Sequence, residues 1–164
     1  MTMLYINSHA KKAILTETIT MEQKEVFISI RSVHGYDQPN SETLDFMTDG
    51  IMSIDENGCS LSYMESEVTG MPGTLTTFKV SDDGVVIDRE GFITSSMQFR
   101  EGMKDAFLYS TPYGTARLGI DTRKVRNGLG VGGGKLEIDY VVNMEHLVAM
   151  RNRFIIDVKE QGAI

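Results

Sequence analysis

The side chains best suited to chemistry are two glutamates and an arginine that sit at the ends of apolar alternations. Cys59, Leu61, Tyr63, Glu65 and Glu67 fall on one face of an extended segment, and so do Val85, Ile87 and Arg89. Two apolar faces that each end in charge bring two carboxylates and a guanidinium to one end of the interior they line. A carboxylate there needs a cation, hydrogen bonds or water, because an unpaired buried charge is expensive. Pairing of Arg89 with Glu65 or Glu67 is therefore expected. Carboxylates at i and i+2 of a strand lie roughly 6.5–7 Å apart, within the range of an inverting glycosidase pair. That gives a hydrolase reading, with Glu65 or Glu67 as general acid or base. The same spacing occurs on any strand, and the competing reading makes these residues ordinary rim charges in water.

A second constellation is aromatic and small-polar. Phe107, Tyr109 and Thr111 share a face, as do Ile93, Ser95, Met97 and Phe99. A pocket lined this way, with a few converging polar groups, suits a small molecule; a filled core has the same composition. The chain's 11 methionines fit both cases, as core fillers or as a soft lining. The candidate ligand-binding set is Glu65, Glu67, Arg89, Met97, Tyr109, Thr111 and Tyr113, with a small, partly apolar ligand as the expected partner. Tyr113, in the Pro112-Tyr113-Gly114 turn, is also the candidate contact if the barrel is solid and its function lies on its surface.

Other potential sites fall away on inspection. Gly128, Gly130 and Gly133 match G-x-G-x-x-G, but that motif holds a pyrophosphate only where it opens a helix. Here Leu136-Glu137-Ile138-Asp139-Tyr140 alternates as a strand, so a hairpin loop is expected. Cys59 is the single cysteine and reads as a buried, inert thiol. His9, His34 and His146 lack ligand spacing. No metal or cofactor is expected.

The elements that must position these groups are strands. From Lys24 onward the apolar period is two: Val26, Ile28 and Ile30; Leu44 and Phe46; Met52 and Ile54. Asn57-Gly58 and Asp83-Gly84 separate alternating runs, and such pairs tolerate the positive φ of tight hairpins. Further strands are expected over 74–80, 85–89, 92–100, 103–111, 115–126, 135–144 and 148–158. About ten strands with turns every 8–12 residues or so indicate an antiparallel barrel or sandwich. Short up-and-down connections favour a closed barrel, which leaves no exposed edges. Residues 1–20 lack the alternation and read as an extension, with a short helix over 8–18, ahead of a single domain over 21–164.

Composition bounds the partners. The net charge of −7 offers no field to attract phosphate backbones, which argues against nucleic acid. The densest basic stretch, Arg117 to Arg126 with Arg123 and Lys124 between, reads as a solvated strand face. No apolar run reaches the roughly 18 residues of a membrane span. Lys11 and Lys12 are followed by only three apolar residues before Thr16, too few for a signal peptide. The expected setting is the cytoplasm, with no membrane partner.

Several segments together carry a family resemblance: Glu65-Ser66-Glu67-Val68-Thr69-Gly70-Met71, Thr74-Leu75-Thr76-Thr77, Arg89-Glu90-Gly91, Met97-Gln98-Phe99 and Tyr109-Ser110-Thr111-Pro112-Tyr113-Gly114-Thr115. In order and spacing they resemble the YwiB-like family of uncharacterised bacterial proteins, over about residues 21–160. The resemblance implies a calycin-like, lipocalin-like antiparallel barrel of about eight to ten strands in a bacterial cytoplasm. It implies no activity and no catalytic residue. Residues 1–20 fall outside it, so Met21 reads as a second start. Intact mass of the natively expressed protein tests this: a species beginning at Met21 is expected, and a mass matching the full chain removes the idea.

Overall fold

The computed structural model describes residues 22–144 and 149–162; the N-terminal extension, Met21 and His146 lie outside them. Ten strands follow in order: β1 (Glu22–His34), β2 (Glu42–Asp55), β3 (Gly58–Met64), β4 (Leu75–Ser81), β5 (Gly84–Glu90), β6 (Ser95–Phe99), β7 (Lys104–Thr111), β8 (Gly114–Asn127), β9 (Gly133–Met144) and β10 (Met150–Glu160). They form one antiparallel sheet in the order β6-β5-β4-β3-β2-β1-β10-β9-β8-β7. Each strand therefore pairs with its chain neighbour, except that β1 pairs with β10 and joins two meanders into a ring. At the remaining junction β6 and β7 share a single isolated bridge, in which Thr94 and Ser110 exchange two N–H···O bonds of 3.0 Å. The result is a nearly closed barrel, as the alternation led us to expect. Leu44–Phe46 and Met52–Ile54 belong to one long strand, β2.

The period of two sorts side chains between the inside and the outside of the barrel. Ile28 on β1, Met52 on β2, Leu61 on β3, Phe78 on β4, Ile87 on β5 and Phe99 on β6 are fully buried, as are Leu136, Ile138 and Ile156 across β9 and β10. They fill one half of the barrel. Read onward along the same strands, the inward positions change character. Ile28 is followed by Ser32, Leu61 by Tyr63 and Glu65, and Ile87 by Arg89; Phe99 is preceded by Met97 and Ser95, and Ile156 by Asn152. Seven of the eight buried polar residues among those described, Thr122 being the exception, lie at this second end.

Two local devices keep the pattern in register. A β-bulge between Thr122 and Lys124 adds one residue, so Leu118 and Ile120 face inward before it and Val125 after it. This exposes Arg117, Arg123, Lys124 and Arg126 together, as a solvated face. The glycine-rich segment is a hairpin loop between β8 and β9: Gly130 and Gly133 exchange bonds of 2.8 and 3.0 Å. Gly134, at φ +127°, leaves its absent Cβ position to the carbonyl of Gly128.

Gly50 marks a close approach inside β2. A Cβ there would overlap the Ile28 side chain and lie 2.6 Å from the Ser62 carbonyl oxygen, and neither the core nor the β3 backbone has room to yield. Gly50→Ala is expected to lower the unfolding free energy by about 1–3 kcal/mol, read as a reduced urea midpoint. An unchanged midpoint would show that the barrel wall relaxes there.

Candidate functional site

The polar end of the barrel is organised around Glu65. β3 stops at Met64, but the Glu65 amide still donates to Thr74 O at 2.8 Å, so its side chain keeps the inward direction. Ser66 then caps a one-turn 3-10 helix, Glu67–Thr69, by accepting from the Val68 amide, and Gly70 ends the turn in the left-handed region. The turn carries Thr69 back over Glu65. Thr69 Oγ1 donates to Glu65 Oε1 at 2.8 Å and Thr76 Oγ1 to Oε2 at 2.6 Å. One carboxylate thus ties the loop after β3 to the wall of β4.

Arg89, on β5, is the compensating charge. Its Nε lies 3.9 Å from Glu65 Oε2, with the two side chains 9% and 1% exposed. Neither charge is tolerable there alone. The pairing is electrostatic rather than hydrogen-bonded, since 3.9 Å exceeds a hydrogen-bond length. Arg89 Nη1 approaches Met97 Sδ at 3.6 Å, while Nε has no hydrogen-bond partner among the described residues. Ser95, opposite Arg89 in the β5–β6 ladder, likewise has a buried and unpartnered Oγ.

Beside these groups the barrel is hollow. A cavity of ≈ 340 Å³ lies between the filled core and the loop after β3. Phe46, Phe107, Leu118, Val142 and Phe154 supply apolar wall; Ser32, Glu65, Arg89 and Asn152 supply polar atoms. Tyr63 and Tyr140 complete the lining, with Phe46–Tyr63 and Tyr140–Phe154 ring centroids 6.2 and 5.7 Å apart. Burial, and for Tyr63 also the Glu65 carboxylate, pushes both phenols above the usual tyrosine range. Both hydroxyls therefore stay protonated and able to donate. A larger surface hollow of ≈ 580 Å³ lies by the β2–β3 and β4–β5 turns, but no buried polar residue lines it.

Of the residues singled out in the sequence, Glu65, Arg89, Met97 and Tyr109 meet at the cavity. Three do not. Glu67 is exposed at the start of the 3-10 helix, because the strand that would have aligned it with Glu65 ends at Met64; the two carboxylates are not a facing pair. Thr111 serves the β7–β8 turn, where its Oγ1 donates to Gly114 O at 3.1 Å and accepts from the Tyr113 amide at 3.0 Å. Tyr113, at the tip of that turn, is 92% exposed. Cys59 is half-buried rather than buried, since it opens β3 beside a turn; burial and then Asp55 raise its thiol pKa. Sequence reasoning missed Thr69, Thr76, Tyr140 and Asn152. The parity of Thr76 with Phe78 and Val80, of Tyr140 with Leu136 and Ile138, and of Asn152 with Phe154 and Ile156 was the available signal.

Comparison with known proteins agrees with this architecture. Residues 28–156 match the family described as "Domain of unknown function (DUF1934)". The chain is similar to the uncharacterized beta-barrel protein YwiB of Bacillus subtilis (strain 168), with 28% identity over 115 residues, covering 68% of this chain and 80% of that one. It also resembles the crystal structure of the ywiB protein from Bacillus subtilis, with a TM-score of 0.70 and 24% identity over 85% of this chain and 94% of that chain. At that identity the likeness establishes the fold alone.

The buried pair makes a quantitative demand. Arg89→Met strands a carboxylate in the interior and is expected to cost about 3–5 kcal/mol of stability. The double variant Glu65→Gln/Arg89→Met, which leaves no buried charge and offers one threonine hydroxyl an acceptor oxygen and the other an N–H donor, is expected to recover most of that loss. Urea denaturation of the two proteins compares them, and equal destabilisation would mean that the charges are not coupled.

Proposed function

Given that the chain belongs to the DUF1934 family, whose description attaches no activity to it, we propose that it is a small-molecule binding module whose ligand occupies the polar half of the barrel. The observation that carries the reading is the contrast between the two halves. One is lined with fully buried aliphatic and aromatic side chains; the other keeps a ≈ 340 Å³ cavity with an ion pair at its wall. Ligand sites fall in the range of about 300–1,000 Å³, mostly apolar with a few placed polar groups. A buried ion pair is poor value for stability compared with apolar packing of similar volume. Its presence where packing stops therefore supports selection for binding.

The competing readings have less support. A surface-interaction barrel requires no cavity, although Tyr113 at 92% exposure and Leu108 at 57% on the neighbouring strand are consistent with contacts there. A two-carboxylate hydrolase requires Glu67 to face Glu65 across a substrate, whereas Glu67 lies outside the cavity and two hydroxyls occupy Glu65.

Native mass spectrometry of the gently purified full chain, set against the same sample denatured, tests the proposal. A retained small mass, lost on denaturation and absent from a cavity-filling Leu118→Trp variant, is expected. A mass retained equally by that variant would place the ligand elsewhere. No retained mass, together with no thermal shift from a broad metabolite mixture, would turn the reading towards surface interaction.

A further inference from the structure

Granting that the polar half holds a small molecule, we infer that the ligand's polar end is a carboxylate, docked on the guanidinium of Arg89. A guanidinium presents five N–H donors in a fixed plane and must find acceptors when buried. Arg89 is 8% exposed. Among the described residues its side chain makes one hydrogen bond, to the weak acceptor Met97 Sδ, and Nε makes none. The obvious acceptor is already taken, because Thr69 and Thr76 hold both Glu65 oxygens and keep Oε2 3.9 Å from Nε. Glu65 balances the charge of Arg89 without filling its donors.

The surrounding polar groups can donate as well as accept. Tyr63 and Tyr140 bring phenolic hydroxyls. Asn152 already accepts from the Gly35 amide through Oδ1 at 3.1 Å, which leaves its amide N–H groups to donate. A ligand that complements such a lining brings acceptors. A guanidinium edge offers two parallel donors, matched by two coplanar oxygens. Arg31 shows the fit on the outside of this same barrel: its Nε and Nη2 take the two oxygens of Asp45 at 2.7 and 3.0 Å. A neutral carbonyl or alcohol satisfies one of the two donors. The like charge of Glu65 limits the affinity and supplies a second handle on the site.

Matched probes test the inference on the full chain by calorimetry: 3-phenylpropionate against 3-phenylpropanol and 3-phenylpropylamine, and octanoate against octanol and octylamine. Each carboxylate is expected to bind about ten-fold more tightly than its alcohol, the difference between a charge-assisted and a neutral hydrogen bond, and the amines are expected not to bind. Glu65→Gln, which removes the like charge, is expected to tighten the carboxylates several-fold and leave the alcohols unchanged. Alcohols binding as well as acids would overturn the carboxylate inference and leave the cavity as a ligand site. Binding by none of the six at millimolar concentration would overturn the cavity reading, and this inference with it.

Discussion

Every strand of this protein depends, directly or through its neighbours, on the two hydrogen-bonded edges of β1. One edge pairs with β2 from Glu22↔Ile54 to His34↔Glu42, the other with β10 from Val26↔Glu160 to His34↔Asn152. Without the second ladder the chain would be an open sheet with long edges at β1 and β10, and with its apolar face in water. With it, the inward residues of ten strands converge. The non-local pairing carries the entropic cost of joining residues near opposite ends of the domain, and burial of the common interior offsets that cost.

That interior is not uniform, and the difference lies along each strand rather than between strands. Val26 and Ile28 give way to Ser32; Val85 and Ile87 give way to Arg89. Because neighbouring strands run antiparallel, the change has to come late in β1, β3 and β5 but early in β4, β6 and β10 for the polar residues to gather at one end. They do gather there. Glu65 then makes the junction among β4, β5 and the loop after β3, so one carboxylate sets both the electrostatics of the cavity and the position of the chain above it.

Much of this was legible in the sequence because parity is a local property. The alternation from Cys59 to Glu65 and from Val85 to Arg89 was enough to bring Glu65 and Arg89 together, and the structure does so. Parity fails where a strand ends without an obvious breaker. Glu67 follows Glu65 by two residues but belongs to a turn set by Ser66 and Gly70, and no glycine or proline precedes it to announce the change. Cross-strand partners were illegible for a different reason. Tyr140 and Asn152 are opposite each other on β9 and β10, but far in sequence from Arg89, and periodicity alone does not say which strands of a ring face one another. The bulge in β8 is another such case, since a single added residue turns Lys124 and Arg126 outward and Val125 inward.

The junction of β6 and β7 gives the barrel a mechanical character that a fully laddered ring lacks. Elsewhere, widening the wall means breaking a continuous ladder; here the backbone link among the described strands is the Thr94–Ser110 bridge, with the Arg100–Asp105 ion pair at 2.6 Å near the turn. The circumference of a closed barrel is fixed by strand number and stagger, whereas a ring cut at one point behaves as a spring clip. Met97 on one lip and Phe107 and Tyr109 on the other all border the cavity. The wall is thus least laddered beside the hollow, and a ligand of the kind proposed would meet less backbone pairing there than at any other seam.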